Sequence, residues 1–192
     1  MTFQFKQFSV KQAQSAMKIG TDSVLLGAWT PIEQPESILD IGAGTGLLAL
    51  MLAQRSEAMT IDAVEIDESA YIECTENFEA SPWGDRLFCY HASFEEFFTE
   101  MDETYDLIIS NPPFYPTDYK TAEKARNTAR FSDALPPEQL LEGVNRLLAV
   151  EGKLSVILPY TESERFITLA ATFGLFPQQI THTRGNAQSE LK

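Results

Sequence analysis

From Ser37 onward, short β-branched runs alternate with amphipathic helical ones, and that alternation leaves few folds open. Ser37–Ile41 reads as a first strand and Leu47–Arg55 as the helix after it; Thr60–Glu65 is a second strand, followed by a helix over residues 69–80. Leu87–His91 is a third strand, Phe94–Glu100 a short helix and Tyr105–Ser110 a fourth strand. Residues 137–148 read as helix, 153–158 as a fifth strand, 163–173 as helix and 179–184 as a sixth strand. Strands separated by helices of this length pair in parallel, with helices covering both faces. The expected fold class is therefore α/β, a doubly wound, mostly parallel sheet. Leu47, Leu50 and Met51 belong to helix packing in that arrangement.

Two segments break the rhythm. In residues 1–35, Phe3, Phe5, Phe8 and Val10 suggest a short hairpin, and Thr21 or Asp22 can cap a helix running to Trp29. Residues 115–136 form a connection longer than the roughly 15 residues beyond which loops tend to carry function, which makes it a candidate substrate lid.

The sequence Asp40-Ile41-Gly42-Ala43-Gly44-Thr45-Gly46 joins the first strand to its helix. Glycines there let the backbone turn sharply and approach a ligand, over which the helix N–H groups point. The spacing is GxGxG: a dinucleotide fingerprint would need glycine where Leu47 stands, and a Walker loop would need Gly-Lys-Ser/Thr. Nineteen residues after Gly46 the second strand ends in Glu65, an acid placed to accept hydrogen bonds from both hydroxyls of a ribose. Together these point to an adenosyl cofactor. After the third strand, Ser93 can hydrogen-bond the adenine and Phe94 can pack on its ring; the same pair reads equally as a helix cap and a core residue.

Asn111-Pro112-Pro113-Phe114 follows the fourth strand, on the edge of the sheet where ligands bind. The lone pair of a conjugated exocyclic amine is delocalised into its ring. The Asn111 side-chain oxygen and the Pro112 carbonyl can accept its two N–H bonds, favouring a tetrahedral nitrogen that attacks an electrophilic methyl group. Pro112 and Pro113 hold the carbonyls in aim, and Phe114 can stack on the target base. The bland alternative is a strand-ending turn.

The glycine loop combined with this tetrapeptide resembles the class I amino-methyltransferases, with the likeness running from Ser37 to Pro159. Phe5-Lys6-Gln7-Phe8, the run from Ala16 through Lys18, Gly20 and Thr21 to Asp22, Leu25-Leu26-Gly27-Ala28-Trp29 and Ser81-Pro82-Trp83 are similar to the bacterial tRNA adenine-N6 methyltransferases, which modify the adenine at position 37 of a valine tRNA. That resemblance implies a Rossmann-like methyltransferase sheet with S-adenosylmethionine as cofactor and tRNA as substrate. It implies that Lys18, Gly20 and Thr21 cover the cofactor beside Asp40, Gly42, Gly44, Gly46 and Glu65, and that Asn111 to Phe114 hold the base. Residues 1–35 are then a cap on the cofactor site and 36–192 the catalytic domain. That sheet ordinarily carries one more strand, inserted antiparallel between the fifth and sixth, so the domain is expected to lack its final strand.

The net charge of −14 opposes long-range attraction to a polyanion, so RNA contact needs a local basic patch. Lys120, Lys124, Arg126 and Arg130, with Tyr115, Tyr119 and Phe131 among them, form such a patch just after the tetrapeptide, unless they are a solvated basic face; Lys6, Lys11 and Lys18 can extend it. Cys74 and Cys89 lack metal-ligand spacing and are expected as buried thiols, with no metal bound. His91 and His182 fall in no hydrolytic constellation. No run reaches the roughly 18 apolar residues of a membrane span, and no signal peptide opens the chain; a cytoplasmic monomer is expected. The rivals are a guanine-N2 or a protein glutamine-N5 methyltransferase using the same tetrapeptide, and a binding module without turnover.

Overall fold

The computed structural model describes residues 1–15, 17–112, 135–186 and 188–191. Its elements in chain order are β1 (Thr2–Gln4), β2 (Ser9–Lys11), α1 (Thr21–Trp29), β3 (Ser37–Ile41), α2 (Leu47–Arg55), β4 (Thr60–Glu65), α3 (Glu68–Glu79) and β5 (Leu87–His91). They continue with α4 (Phe94–Glu100), β6 (Tyr105–Ser110), α5 (Pro137–Leu147), β7 (Leu148–Val156), a 3-10 turn (Tyr160–Glu162) and α6 (Ser163–Thr172).

β3 to β7 form one parallel sheet in the order β5-β4-β3-β6-β7. The chain winds outward from β3 through β4 to β5, then crosses back to lay β6 on the other flank of β3. Alternate side chains serve two cores. Ile38, Ile61, Ala63, Leu107 and Ile109 pack with Leu47, Leu50 and Phe78 on the side of α1, α2 and α3. Leu39, Ile41, Val64 and Ile108 meet Phe97, Leu140, Val144 and Phe166 from α4, α5 and α6. A sheet buried on both faces explains why its strands read as near-continuous apolar runs.

β1 and β2 pair antiparallel, Phe3 opposite Val10, as the N-terminal hairpin expected from the sequence. Phe5 stacks on Phe8, whose ring meets Trp83 at 5.8 Å. The helix start differs from expectation. Gly20 is the N-cap of α1, and neither Thr21 nor Asp22 caps it; they occupy its first turn, where the Asp22 charge faces the positive end of the helix dipole.

Two strand expectations need correction. β7 begins at Leu148, five residues before the predicted start, because a bulge lets Tyr105 pair with Leu148 and Leu107 with Lys153. Gly152 lies at that irregularity, where an added Cβ would come within 2.8 Å of the Tyr105 carbonyl oxygen. Residues 179–184 are not a strand. A sixth strand in this fold hydrogen-bonds to the strand inserted beside β7, and no such neighbour lies among the described residues. The segment runs over the surface instead, with Ile180 exposed and Thr181 accepting a hydrogen bond from the Trp29 indole.

Candidate active site

The carboxyl ends of β3, β4, β5 and β6 lie along one edge of the sheet, and the winding reverses between β3 and its two neighbours. Such a switch point opens a crevice for a ligand.

The β3–α2 loop supplies its floor. Gly42, Gly44 and Gly46 all have positive φ, at 71°, 56° and 77°. Their surroundings differ. A Cβ on Gly42 or Gly44 would meet nothing within 4 Å, whereas one on Gly46 would lie 2.5 Å from the Phe78 ring and 2.8 Å from the Cys74 sulfur. Gly46 is therefore held by packing, while Gly42 and Gly44 keep open space above the loop. The N–H groups of Gly42 and Ala43 both reach the Val64 carbonyl, tying the loop to β4.

Glu65 ends β4, nine-tenths buried, its two oxygens accepting from the N–H groups of Gly44 (2.7 Å) and Asp67 (2.8 Å). A carboxylate has about four acceptor positions, so two remain for hydroxyl donors. Asp40 is fully buried beneath the loop; one oxygen accepts from the Ala49 N–H in the first turn of α2, and the other has no partner. Burial pushes its pKa up to about 7; the Ala49 bond opposes this and the Glu65 charge adds to it. An acidic, partly unsatisfied bed under an open glycine loop fits an adenosyl group joined to a cationic centre.

Ser110 donates from its hydroxyl to the Ile41 carbonyl, locking the ends of β6 and β3 together. Beyond it Pro112 is buried, and the Asn111 amide nitrogen donates to the Ser23 hydroxyl of α1 at 2.8 Å.

A model of the methyltransferase small domain matches residues 9–178. The chain is 61% identical over 191 residues to the tRNA1(Val) (adenine(37)-N6)-methyltransferase of Flavobacterium psychrophilum, covering 99% of this chain and 82% of that protein. It is 59% identical to the protein of the same name from Flavobacterium johnsoniae, over 99% of this chain and 81% of that one. The chain belongs to this family. A solved methyltransferase from Pyrococcus furiosus shares the fold, with a TM-score of 0.62 at 21% identity over 86% of this chain and 77% of that one.

In this chain of the tRNA1(Val) (adenine(37)-N6)-methyltransferase family, hydrogen bonds tie the N-terminal segment to the glycine-loop side of the sheet. The Lys18 ammonium donates to the carbonyls of Gln12 (2.6 Å), Ala13 (3.2 Å) and Ser15 (2.8 Å), so it organises its own loop. Glu73 of α3 accepts from the N–H groups of Ala13, Gln14 and Ser15. Burial alone would raise its pKa, but the three backbone bonds and the Lys18 charge together bring it below the ordinary range. Asn77 donates to the carbonyls of both Lys11 and Thr45, joining β2 to the glycine loop. Gly20 and Thr21 lie exposed at the start of α1.

Ser93 and Phe94 serve as helix cap and core residue. Ser93 caps α4 in a reciprocal box with Glu96, which occupies its N–H and its hydroxyl. Phe94 is buried against Phe98 and Gly143. Pro113, Phe114, Tyr115, Lys120, Lys124, Arg126 and Arg130 lie outside the described residues. Cys74 is buried as expected, Cys89 only half so, and both are free thiols. Among the described residues no group of His, Cys, Asp or Glu is arranged to hold a metal ion, and no helix is long and apolar enough to cross a membrane.

Sequence reasoning missed Ser23, Glu73 and Asn77. The last two carried a signal: with Ala70, Cys74 and Phe78 they complete the buried stripe of α3, and a polar residue on an apolar stripe must have a partner. Ser23 carried none, because its partner lies 88 residues away.

Proposed function

We propose that this chain transfers a methyl group from S-adenosylmethionine to the N6 amine of adenine 37 in a valine tRNA, the reaction named for its relatives at about 60% identity. The observation that carries the reading is Asn111 at the carboxyl end of β6, its amide nitrogen engaged by Ser23, next to an open glycine loop. S-adenosylmethionine, when bound, supplies a methyl group made electrophilic by its sulfonium.

The chain's own residues do the rest. Gly42 and Gly44 let the backbone approach the cofactor, and Glu65 offers its remaining lone pairs to the ribose hydroxyls. Ile66, 45% exposed directly after Glu65, presents apolar surface to the adenine, with Ser93 and Phe94 at the start of α4 on its other side. Lys18, Gly20 and Thr21 belong to the segment that covers the cofactor. Lys18 does so by shaping the loop, as its hydrogen bonds to three carbonyls indicate.

The Asn111 oxygen and the Pro112 carbonyl accept the two N–H bonds of the target amine, draw the nitrogen toward a tetrahedral geometry and aim its lone pair. No strong base is needed, because the amine loses its proton only after it has become cationic. Phe114 and Tyr115 stack on the extruded base. Lys120, Lys124, Arg126 and Arg130 meet the phosphates, which a surface of net charge −14 would otherwise repel. The same net charge keeps copies apart and supports a monomer; a substrate tRNA places its work in the cytoplasm.

The test is methyl transfer from labelled S-adenosylmethionine to total tRNA, ribosomal RNA and cell protein, with the product nucleosides digested and identified. N6-methyladenosine in tRNA is the expected product. Label in guanine or in glutamine would reassign the substrate, and bound cofactor with no label anywhere would point to a module without turnover.

A further inference from the structure

An asparagine amide can hold an amine for methylation in only one of its two orientations. With the oxygen toward the substrate it accepts an N–H; turned over, its NH2 opposes the amine's own donors and the site cannot form. The Asn111 backbone does not decide between them, since either orientation fits the same rotamer. The substrate amine's own N–H donors select the oxygen-forward one, and a partner hydroxyl that accepts from the amide nitrogen holds the carboxamide plane in place for it.

That partner comes from the N-terminal segment. The Ser23 oxygen lies 2.8 Å from the Asn111 amide nitrogen, which leaves the oxygen of Asn111 facing away from α1. The helix is a firm platform for it. Gly27 packs so closely on α2 that a Cβ would fall 2.7 Å from the Met51 sulfur, and Arg55 donates to the Gly27 carbonyl. The Thr30 hydroxyl closes the end of the helix onto the Leu26 carbonyl.

We propose that Ser23 is a positioning residue for methyl transfer, accepting from the Asn111 amide nitrogen and so holding the carboxamide plane while its oxygen faces the substrate amine. The N-terminal segment thereby completes the catalytic asparagine as well as lying over the cofactor. This role rests on the amine-methylation reading of the site.

The test uses the full chain with Ser23→Ala, Ser23→Thr and Asn111→Ala, alone and combined. Ser23→Ala should lower kcat about tenfold, the equivalent of about 1.4 kcal/mol, with the KM for S-adenosylmethionine within about twofold of the parent value. Ser23→Thr keeps the hydroxyl and should recover kcat to within about threefold of the parent. In an Asn111→Ala background, Ser23→Ala should cost nothing further, since the two act through one bond. An unchanged kcat in Ser23→Ala, equal losses in the Ala and Thr variants, or an effect confined to the cofactor KM would each overturn the role.

A second readout needs no turnover. The side-chain NH2 resonances of Asn111, assigned by their absence in Asn111→Ala, should shift in Ser23→Ala and stay near their parent position in Ser23→Thr. If they do not move in Ser23→Ala, the bond does not exist in solution and the proposal fails. A protein that labels guanine or glutamine in place of adenine would refute the tRNA assignment alone, and the same comparison of variants then runs on that product.

Discussion

Gly44 and Gly46 share a left-handed backbone and differ in what surrounds them, which separates a cofactor cradle from ordinary packing. Alanine at either position pays left-handed strain of about 1–2 kcal/mol. At Gly44 the new methyl group meets no protein atom, so strain is the whole stability cost, and for a chain of this size it lowers Tm by about 2–8 °C. At Gly46 the methyl group drives into the Phe78 ring and the Cys74 sulfur, adding an overpacking cost of about 1–3 kcal/mol. Cofactor binding should rank the two the other way. The Gly44→Ala methyl group stands in the open space assigned to the ligand, and an overlap costing about 1–3 kcal/mol weakens binding by about 5- to 150-fold. Folded Gly46→Ala points its methyl group away from that space and should bind within about threefold of the parent. Thermal denaturation and calorimetric titration with S-adenosylmethionine, at a temperature where both variants are folded, measure the two quantities. Parental affinity in Gly44→Ala would show that the loop does not cradle the cofactor. A Gly46→Ala chain no less stable than Gly44→Ala would show that the contact with α3 does not constrain the loop.

Asn111→Ala should lower kcat by about a hundredfold or more while cofactor affinity holds; equal loss of both, by turnover assay and calorimetry, would refute the division of labour between β6 and the glycine loop. Glu73→Gln should destabilise the protein by about 3 kcal/mol at pH 7, because a carboxylate serving three N–H donors is replaced by a group that offers a competing donor. The folded-state pKa of Glu73 is lowered, so its contribution is present above the ordinary glutamate range and lost as pH falls through the folded value; the gap in Tm between parent and variant should narrow on acidification. Asp40 carries the opposite sign. With a folded pKa of about 7 against an ordinary 3.8, it keeps a proton that the unfolded chain has lost, so between those values it subtracts stability as pH rises, and Asp40→Asn should gain Tm relative to the parent from pH 5 to pH 8. A difference independent of pH would contradict the buried charge. Arg126→Ala or Arg130→Ala should raise the KM for tRNA and flatten its dependence on salt; no change in either would remove that patch from the RNA path.

Periodicity placed β3 to β6 and their helices within a residue or so, because a parallel sheet buried on both faces leaves little freedom in where apolar runs start and stop. The same local logic marked the glycine loop and the acid ending β4, whose spacing is dictated by one βαβ unit. Where pairing depended on a distant neighbour, local reading failed. β7 starts early because a bulge accommodates Tyr105, and residues 179–184 look like a strand, yet among the described residues no strand pairs with them. Burial and local hydrogen bonds added partners that the sequence left open. Ser93 is occupied by Glu96, Phe94 by the α4–α5 packing, and Lys18 by three carbonyls of its own loop. What the sequence determined by itself was chemistry carried in short contiguous motifs: the turn that admits an adenosyl group and the tetrapeptide that can hold an amine. Only the tertiary structure decided how that chemistry is aimed. The amide of Asn111 is held by Ser23 on a helix 88 residues earlier in the chain, and no local pattern records a hydrogen bond between segments that meet only after the sheet has formed.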